Sequence, residues 1–382
     1  MGLKTYTIEW TDLSVIVRSA YFCTEGGVCE YHTAIELNNV VANAEMQYQL
    51  INEASHRLTE LLRVEGCKLV WKRFFVSDAI NHAVHLKKTE SEALSVVQQP
   101  PLNAFKVSLL LYFVESAQLI IETDNTVVMK RPYYEHLFHT QLHERTGDIT
   151  SQTCGIFNRY CNSLSRKGSS LGKNCIRTWI FVQNVDIQYA GMVLARKEYF
   201  EREGLTSHTH YIASTGIEGR YIYPEAMVLM DAYAIANIQL EQIHYLYAPT
   251  HLNPTYEYGV TFERGVTVDY GDRRHVFISG TASINNRGEI VHPLDIEKQI
   301  VRTFENIQVL LDEADATMQH VAHMVVYLRD IADYSVINRY ISQHYPDIPR
   351  VMLWAPVCRP GWLVEVECMA IVPVEHQQFE KF

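Results

Sequence analysis

An α+β fold built from three tandem copies of one small domain is the architecture this sequence predicts, and two observations carry the prediction. The order helix, strand, helix or turn, apolar strand recurs three times along 382 residues. Three segments, KRFFVSDAIN (72–81), RTWIFVQNVDI (177–187) and MVVYLRDIADY (324–334), each follow a helical pattern that ends in a small or glycine-rich turn. A repeat of roughly 110 to 145 residues is too long for a solenoid, so the repeating object is a whole domain. The units are placed at 1–120, 121–250 and 251–382.

In the first unit, Ser14 to Cys23 reads as a strand closed by Glu-Gly-Gly. Met46 to Gly66 reads as a helix, with Leu50, Ile51, Ala54, Leu58, Leu61 and Leu62 at helical spacing and Gly66 as its stop. Strands follow at Lys68 to Ala79 and, after Pro100-Pro101, at Phe105 to Ser116.

The second unit reads as a helix over 151–168, a strand starting at Asn174, a helix near 190–204, and strands within 209–219 and 227–237. The third reads as strands over 265–284, a helix over 295–314 and the segment from His323. Tyr345 to Val372 then reads as a hairpin, two apolar runs joined by the turn Cys358-Arg359-Pro360-Gly361.

Composition excludes several classes of function. A net charge of −11 without a stripe of Lys and Arg argues against nucleic acid. No apolar run approaches the roughly eighteen residues of a membrane span, and the first twenty residues lack a secretory pattern. The eight cysteines form no C-x-x-C pair, so reduced thiols and a cytoplasmic location are expected. His136, His139 and His143, read on one face of a helix, lack acidic or cysteine partners nearby. They are read as a partly buried structural face, with no metal. No phosphate-cradling loop or nucleophilic triad is evident, and no cofactor is expected.

The terminal hairpin carries the chemistry. Glu365 and Glu367 alternate with apolar residues and share one sheet face. The chain's own copies keep the strand and lose the acids: the second reads L-M-D-A-Y-A-I, with Leu229 at the place of Glu365 and Asp231 at that of Glu367, and the first has no acid before Glu115. Arg350 has Ser214 or a neighbour as its counterpart. Three clefts with one complete Arg350 and Glu365 pair predict a single active site. Arginine grips a carboxylate with a planar fork, and a glutamate among apolar neighbours holds its proton more tightly, as an acid or water-activating base requires.

The third copy resembles the RidA (YjgF/YER057c/UK114) family, small α+β proteins that form trimers with ligand clefts between subunits. The resemblance lies in FISGTASI (277–284), the helix from Asp295, VVYLRDIADY, IPRVML and LVEVECMAIV. It implies Arg350 as the carboxylate-binding arginine and Glu365 as the catalytic glutamate. Over more of the chain the sequence resembles the chorismatases, three fused units of this type that release pyruvate from chorismate. Here the matching residues are FERG (262–265), SGTASI, IRTW, ASTGIEG and, most specific, VCRPGWLVEVE. The strand Arg177-Thr-Trp179-Ile-Phe181 departs from the chorismatase pattern, which continues with Asn and Tyr.

The resemblance implies three units forming an intramolecular pseudo-trimer, either monomeric or in a low-order homo-oligomer, with a small carboxylate substrate. It implies a hydrolase or lyase that cleaves an enolpyruvyl ether. Arg177 is favoured for the substrate's second carboxylate, ahead of Arg264, Arg273 and Arg359, and Trp179 follows it on its strand. Ser214, Thr215, Gly216 and Gly280 are placed at the substrate, and Cys358 at the ring pocket. The alternatives are a RidA-type imine or enamine deaminase and a ligand-binding protein without turnover.

Overall fold

The computed structural model describes every residue except 1, 87 and 90, and the backbone alone at 258. Three six-stranded sheets account for its strands. The first holds β1 (Lys4–Trp10), β2 (Val15–Phe22), β3 (Glu30–Leu37), β4 (Cys67–Val76), β5 (Ala93–Gln98) and β6 (Val107–Glu115). The second holds β7 (Gln118–Thr123), β8 (Thr126–Lys130), β9 (Glu135–His143), β10 (Cys175–Val182), β11 (Ala213–Glu218) and β12 (Val228–Ala236). The third holds β13 (Ile243–Leu246), β14 (Gly265–Asp269), β15 (Arg273–Ala282), β16 (Val321–Leu328), β17 (Arg350–Trp354) and β18 (Val364–Pro373).

The strand order is the same in all three. It runs β1-β2-β3-β6-β4-β5 in the first sheet, β7-β8-β9-β12-β10-β11 in the second and β13-β14-β15-β18-β16-β17 in the third. The fourth and fifth strands of each unit are parallel and the remaining pairs antiparallel. A long amphipathic helix follows the third strand every time, at Ala44–Val64, Ile149–Ser165 and Ile296–Glu313. These helices cover the outer sheet faces. The inner faces meet in a common core that draws Tyr112, Tyr233, Phe277 and Met369 from all three sheets. The chain is thus three tandem α+β units wrapped into a pseudo-trimer. β7 begins at Gln118 and β13 at Ile243, a few residues before the unit bounds read from the sequence.

Several expectations are corrected. The terminal stretch is not a hairpin: β17 pairs parallel with β16, and β16 separates it from β18. His136, His139 and His143 lie on strand β9, not on a helix. Their segment is held by antiparallel pairing with β12 and β8, which outweighs a three- and four-residue spacing. The thiols are not all free, because Cys23 and Cys29 are joined by a disulfide across the turn between β2 and β3. Among the described residues, no helix is long and apolar enough to cross a membrane.

Candidate active site

At the seam between the second and third units, β10 and β11 face β18. Arg177 donates to Oε2 of Glu367 at 2.8 Å and Trp179 Nε1 donates to Oε1 at 2.9 Å. The Thr215 hydroxyl donates to the same carboxylate and accepts from the Gly280 amide at 2.9 Å. Glu367 is therefore a buried, fully partnered anion, as a carboxylate in this position must be. Burial lowers the Arg177 pKa, against the pull of Glu367. Trp179 lies between two guanidinium groups, 4.9 Å from Arg73 and 5.1 Å from Arg177.

Glu365, two residues along the same face, is in a different condition. Among the described residues no group donates a hydrogen bond to it, and it lines a cavity of about 30 Å³. Burial, reinforced by the charge on Glu367, raises its pKa to about 8, although Arg177 and Arg264 oppose the rise. This carboxyl keeps its proton at neutral pH. A bulge between Ile278 and Thr281 breaks the β15–β18 ladder beside it. There a Cβ on Gly280 would stand 2.2 Å from Glu365 Oε1, so only glycine admits the carboxyl to its place.

The cavity wall joins Tyr189, Arg196, Ser214, Thr215 and Gly216 of the second unit to Phe262, Arg264, Gly280, Cys358, Arg359 and Trp362 of the third. Burial and then Glu365 push the Cys358 thiol up to about 12, so it stays protonated. The Tyr189 hydroxyl, raised by burial and by Cys358, also stays neutral. Arg264 donates to the Asn253 carbonyl at 3.0 Å, and its guanidinium lies 5.5 Å from the Phe262 ring. Tyr327 stands opposite Glu365 in the β16–β18 register, its hydroxyl buried and, among the described residues, without a hydrogen-bond partner.

The structure brings together Glu365, Arg264, Cys358, Ser214, Thr215, Gly216 and Gly280, with Arg177 and Trp179 directly behind them through Glu367. It does not bring Arg350 to them. Because β17 sits on the far side of β16, Arg350 faces the first unit, where Arg18 and Glu36 act on its charge. Its guanidinium donates to the carbonyls of Tyr345, Pro346 and Ile348 at 3.1, 3.0 and 3.3 Å and to Ser342 Oγ at 3.2 Å. Arg350 thus secures its own loop and does not pair with Glu365, contrary to the sequence expectation. Arg273 is also elsewhere, bound to Glu30 at 2.7 Å.

Among the described residues, the other two seams carry no second Glu365. At the seam of the first and second units, Arg73 pairs with Asp231 at 2.7 Å, while buried Leu229 occupies the register of Glu365. At the seam of the third and first, Ser108 and Leu110 take the two positions. Tyr189 and Arg196, on the helix Val185–Arg202, escaped sequence reading, because single polar or aromatic residues on a helix carry no spacing signal, whereas Phe262 and Trp362 fall within the motifs FERG and VCRPGWLVEVE.

A central cavity of about 80 Å³ lies on the inner sheet faces, lined by His32, His139, His275 and His323 among aromatic rings. Burial lowers His136 to about 3 and His139 to about 4, leaving both neutral. His136 pairs with Tyr233 at 2.7 Å and His139 with Ser163 at 2.8 Å. Among the described residues no group of His, Cys, Asp and Glu is arranged to hold a metal ion.

A fused three-unit α+β chain with its carboxyl at one inter-unit seam defines a class, and comparison with known proteins gives that class a family. The model of the family described as Endoribonuclease L-PSP matches residues 264–372. A RutC family protein of Pyrococcus abyssi is 33% identical over 98 residues, which are 25% of this chain and 76% of that protein. The 3-aminoacrylate deaminase RutC of Acinetobacter baylyi is 27% identical over 99 residues, 25% of this chain and 79% of that protein. A crystal structure of a chorismatase superposes with a TM-score of 0.63 at 16% identity, covering 79% of this chain and 92% of that one. The chain belongs to the RidA (YjgF/YER057c/UK114) family, and its three-unit fold is that of the chorismatase.

Proposed function

We propose that the protein cleaves the enolpyruvyl ether of chorismate or a related cyclic acid and releases pyruvate. The observation that carries this reading is Glu365, a buried carboxyl still protonated at neutral pH and facing a cavity with guanidinium groups in its wall. Protonation of the terminal methylene carbon by Glu365 turns the enol ether into an oxocarbenium ion. Water adds to that carbon, and the hemiketal collapses with loss of the ring alcohol and of the proton the water brought in. The sum is R–O–C(=CH2)–COO⁻ plus water giving R–OH plus pyruvate. Arg264, with Arg196 and Arg359, supplies the positive wall that a substrate carboxylate needs, and Cys358 and Trp362 face the carbon skeleton. With all three units in one chain, we take a single polypeptide as the working form.

The test is pyruvate formation from chorismate, followed through a coupled dehydrogenase, with wild type and Glu365→Gln side by side. Release by wild type that the variant loses supports the proposal; none from wild type sinks it. The third unit's likeness to a 3-aminoacrylate deaminase favours a second reading, in which Glu365 activates water against the C=N bond of a small imine. Ammonia release from freshly generated 2-aminoacrylate decides between the two. Binding without turnover remains the reading if neither product forms.

A further inference from the structure

The central cavity lies where the three units meet, apart from the cavity that Glu365 lines. Each unit sends it the same strand positions: Tyr112, Tyr233 and Met369 stand opposite His32, Phe138 and Phe277 on their neighbouring strands. Trp71 and Trp179, their rings 6.4 Å apart, complete an apolar wall. The two carboxylates that reach this wall are already matched, Asp231 by Arg73 at 2.7 Å and Glu367 by Arg177 at 2.8 Å. A charged occupant would be buried against ion pairs that are already closed, which is unfavourable. The cavity therefore suits a neutral molecule.

A pair of imidazoles from different units gives the wall its polar feature. His32 of the first unit and His323 of the third stack with centroids 5.0 Å apart, Nδ1 facing Nδ1 at 3.1 Å. Burial lowers the pKa of both rings, and for His323 the nearby His32, Arg73 and Arg177 lower it further. Each ring thus carries one proton at neutral pH, and the short contact requires one Nδ1 to donate and the other to accept. His32 Nε2 lies 3.7 Å from the Glu30 carboxylate, which assigns the His32 proton to Nε2. His323 then donates through Nδ1, and its Nε2 carries a lone pair. His323 is the less buried of the two, so this nitrogen is the acceptor open to an occupant. We propose that the central cavity binds a small neutral ring bearing one N–H or O–H donor, which points at His323 Nε2 while the ring lies among Phe138, Trp179, Tyr233 and Phe277. A volume of about 80 Å³ is roughly half that of the apolar cavity of about 150 Å³ known to admit benzene, so one compact ring fits and a fused pair does not.

Pyrrole and furan are the probes, rings of nearly equal size that differ in the N–H group, and indole is the oversized control. Binding is measured by ligand-observed NMR titration to wild type, His323→Leu, Met369→Phe and Glu365→Gln. Met369→Phe fills the cavity with the kind of ring that its counterparts Tyr112 and Tyr233 already carry. Pyrrole should bind wild type with a millimolar dissociation constant, at least about 5-fold more tightly than furan, the worth of roughly one hydrogen bond. His323→Leu should erase that difference, and Met369→Phe should weaken both rings by about 5-fold or more. Glu365→Gln, in the other cavity, should bind pyrrole as wild type does, and indole should fail to displace it. The proposal is overturned if wild type binds neither ring or prefers furan, if His323→Leu keeps the preference for pyrrole, or if Glu365→Gln loses it. Should His323→Leu not fold, unchanged binding by Met369→Phe overturns it equally.

Discussion

Gly280 and Glu365 are in a contact that permits no side chain between them: a Cβ on Gly280 would lie 2.2 Å from Glu365 Oε1 and 3.1 Å from Thr215 Cγ2. Gly280→Ala must therefore push the carboxyl toward the cavity or displace β15 at its bulge. Misplacement of a reacting group by about 1 Å costs on the order of 100-fold in rate. We expect pyruvate release to fall by about that factor while the circular dichroism spectrum is unchanged. An alanine variant with wild-type turnover removes Gly280 from the site.

The pH dependence of Glu365 has a definite sign. Its pKa in the fold is about 8, above the ordinary carboxylate value of 4.5, because burial and then Glu367 disfavour its charge. Between those two values the folded protein holds a proton the unfolded chain has released, so stability falls as pH rises from about 4.5 to 8. The same proton is the one given to substrate. Turnover should decline as pH passes through about 8, and Glu365→Gln should lose at least about 100-fold in kcat. The variant should also melt higher than wild type at alkaline pH, where wild type must ionise a buried acid. Differential scanning calorimetry at several pH values checks this, and identical slopes for the two proteins contradict it.

The strands and helices that sequence reading recovered are those with a single dominant pattern, such as Ile296–Glu313 and the apolar β16 and β18. β3 was missed because Glu30, His32 and Thr33 interrupt its apolar run, although all three are buried, Glu30 and His32 against the third unit and Thr33 against Ser19 of its own. Glu30, for example, is satisfied by Arg273 and His275, more than 240 residues away. Glu365 was legible because the chain's own copies keep the strand and lose the acid, with Leu229 at its place in the second copy and no acid before Glu115 in the first. The place of Arg350 was not, because a separation of 15 residues suits a hairpin as well as a strand that crosses behind its neighbour. Only the parallel β16–β17 pairing decides between them.

That placement gives Arg350 a structural task. Four hydrogen bonds tie it to its own loop and to Ser342, and Arg350→Ala leaves three carbonyls without their donor. We expect a loss of about 2 to 4 kcal/mol in stability, read by denaturant unfolding, with the KM for chorismate unchanged. A large rise in KM would return Arg350 to the substrate.

The disulfide between Cys23 and Cys29 closes a short loop at the turn between β2 and β3. A loop of this size restrains the unfolded chain by about 2 kcal/mol in the chain-entropy picture. Cys23→Ser, or wild type under dithiothreitol, should melt several degrees lower, with catalysis at lower temperature unaffected because the turn lies beside Asp272 and Pro373, at the opposite end of β18 from Glu365. A reduced protein that melts with the oxidised one shows that the bridge contributes nothing to folding.

Arg73 and Asp231 form the second inter-unit cluster, both side chains about 1% exposed and 2.7 Å apart, with Ser95 donating to the same carboxylate. No counterpart of Glu365 stands beside them, so this seam is read as a joint. Removing one member of a buried pair leaves an uncompensated charge and costs about 3 to 5 kcal/mol, whereas replacing both with apolar groups of similar volume is often close to neutral. Asp231→Leu alone should destabilise the protein by about that amount, and Arg73→Met with Asp231→Leu should recover most of the loss. Turnover at Glu365 should survive in the double variant, since Arg177 and Trp179 keep their own anion, Glu367. If the double variant folds well and turnover disappears, the Arg73 cluster belongs to the chemistry, and the stack of Arg73, Trp179 and Arg177 is the path by which it reaches the site.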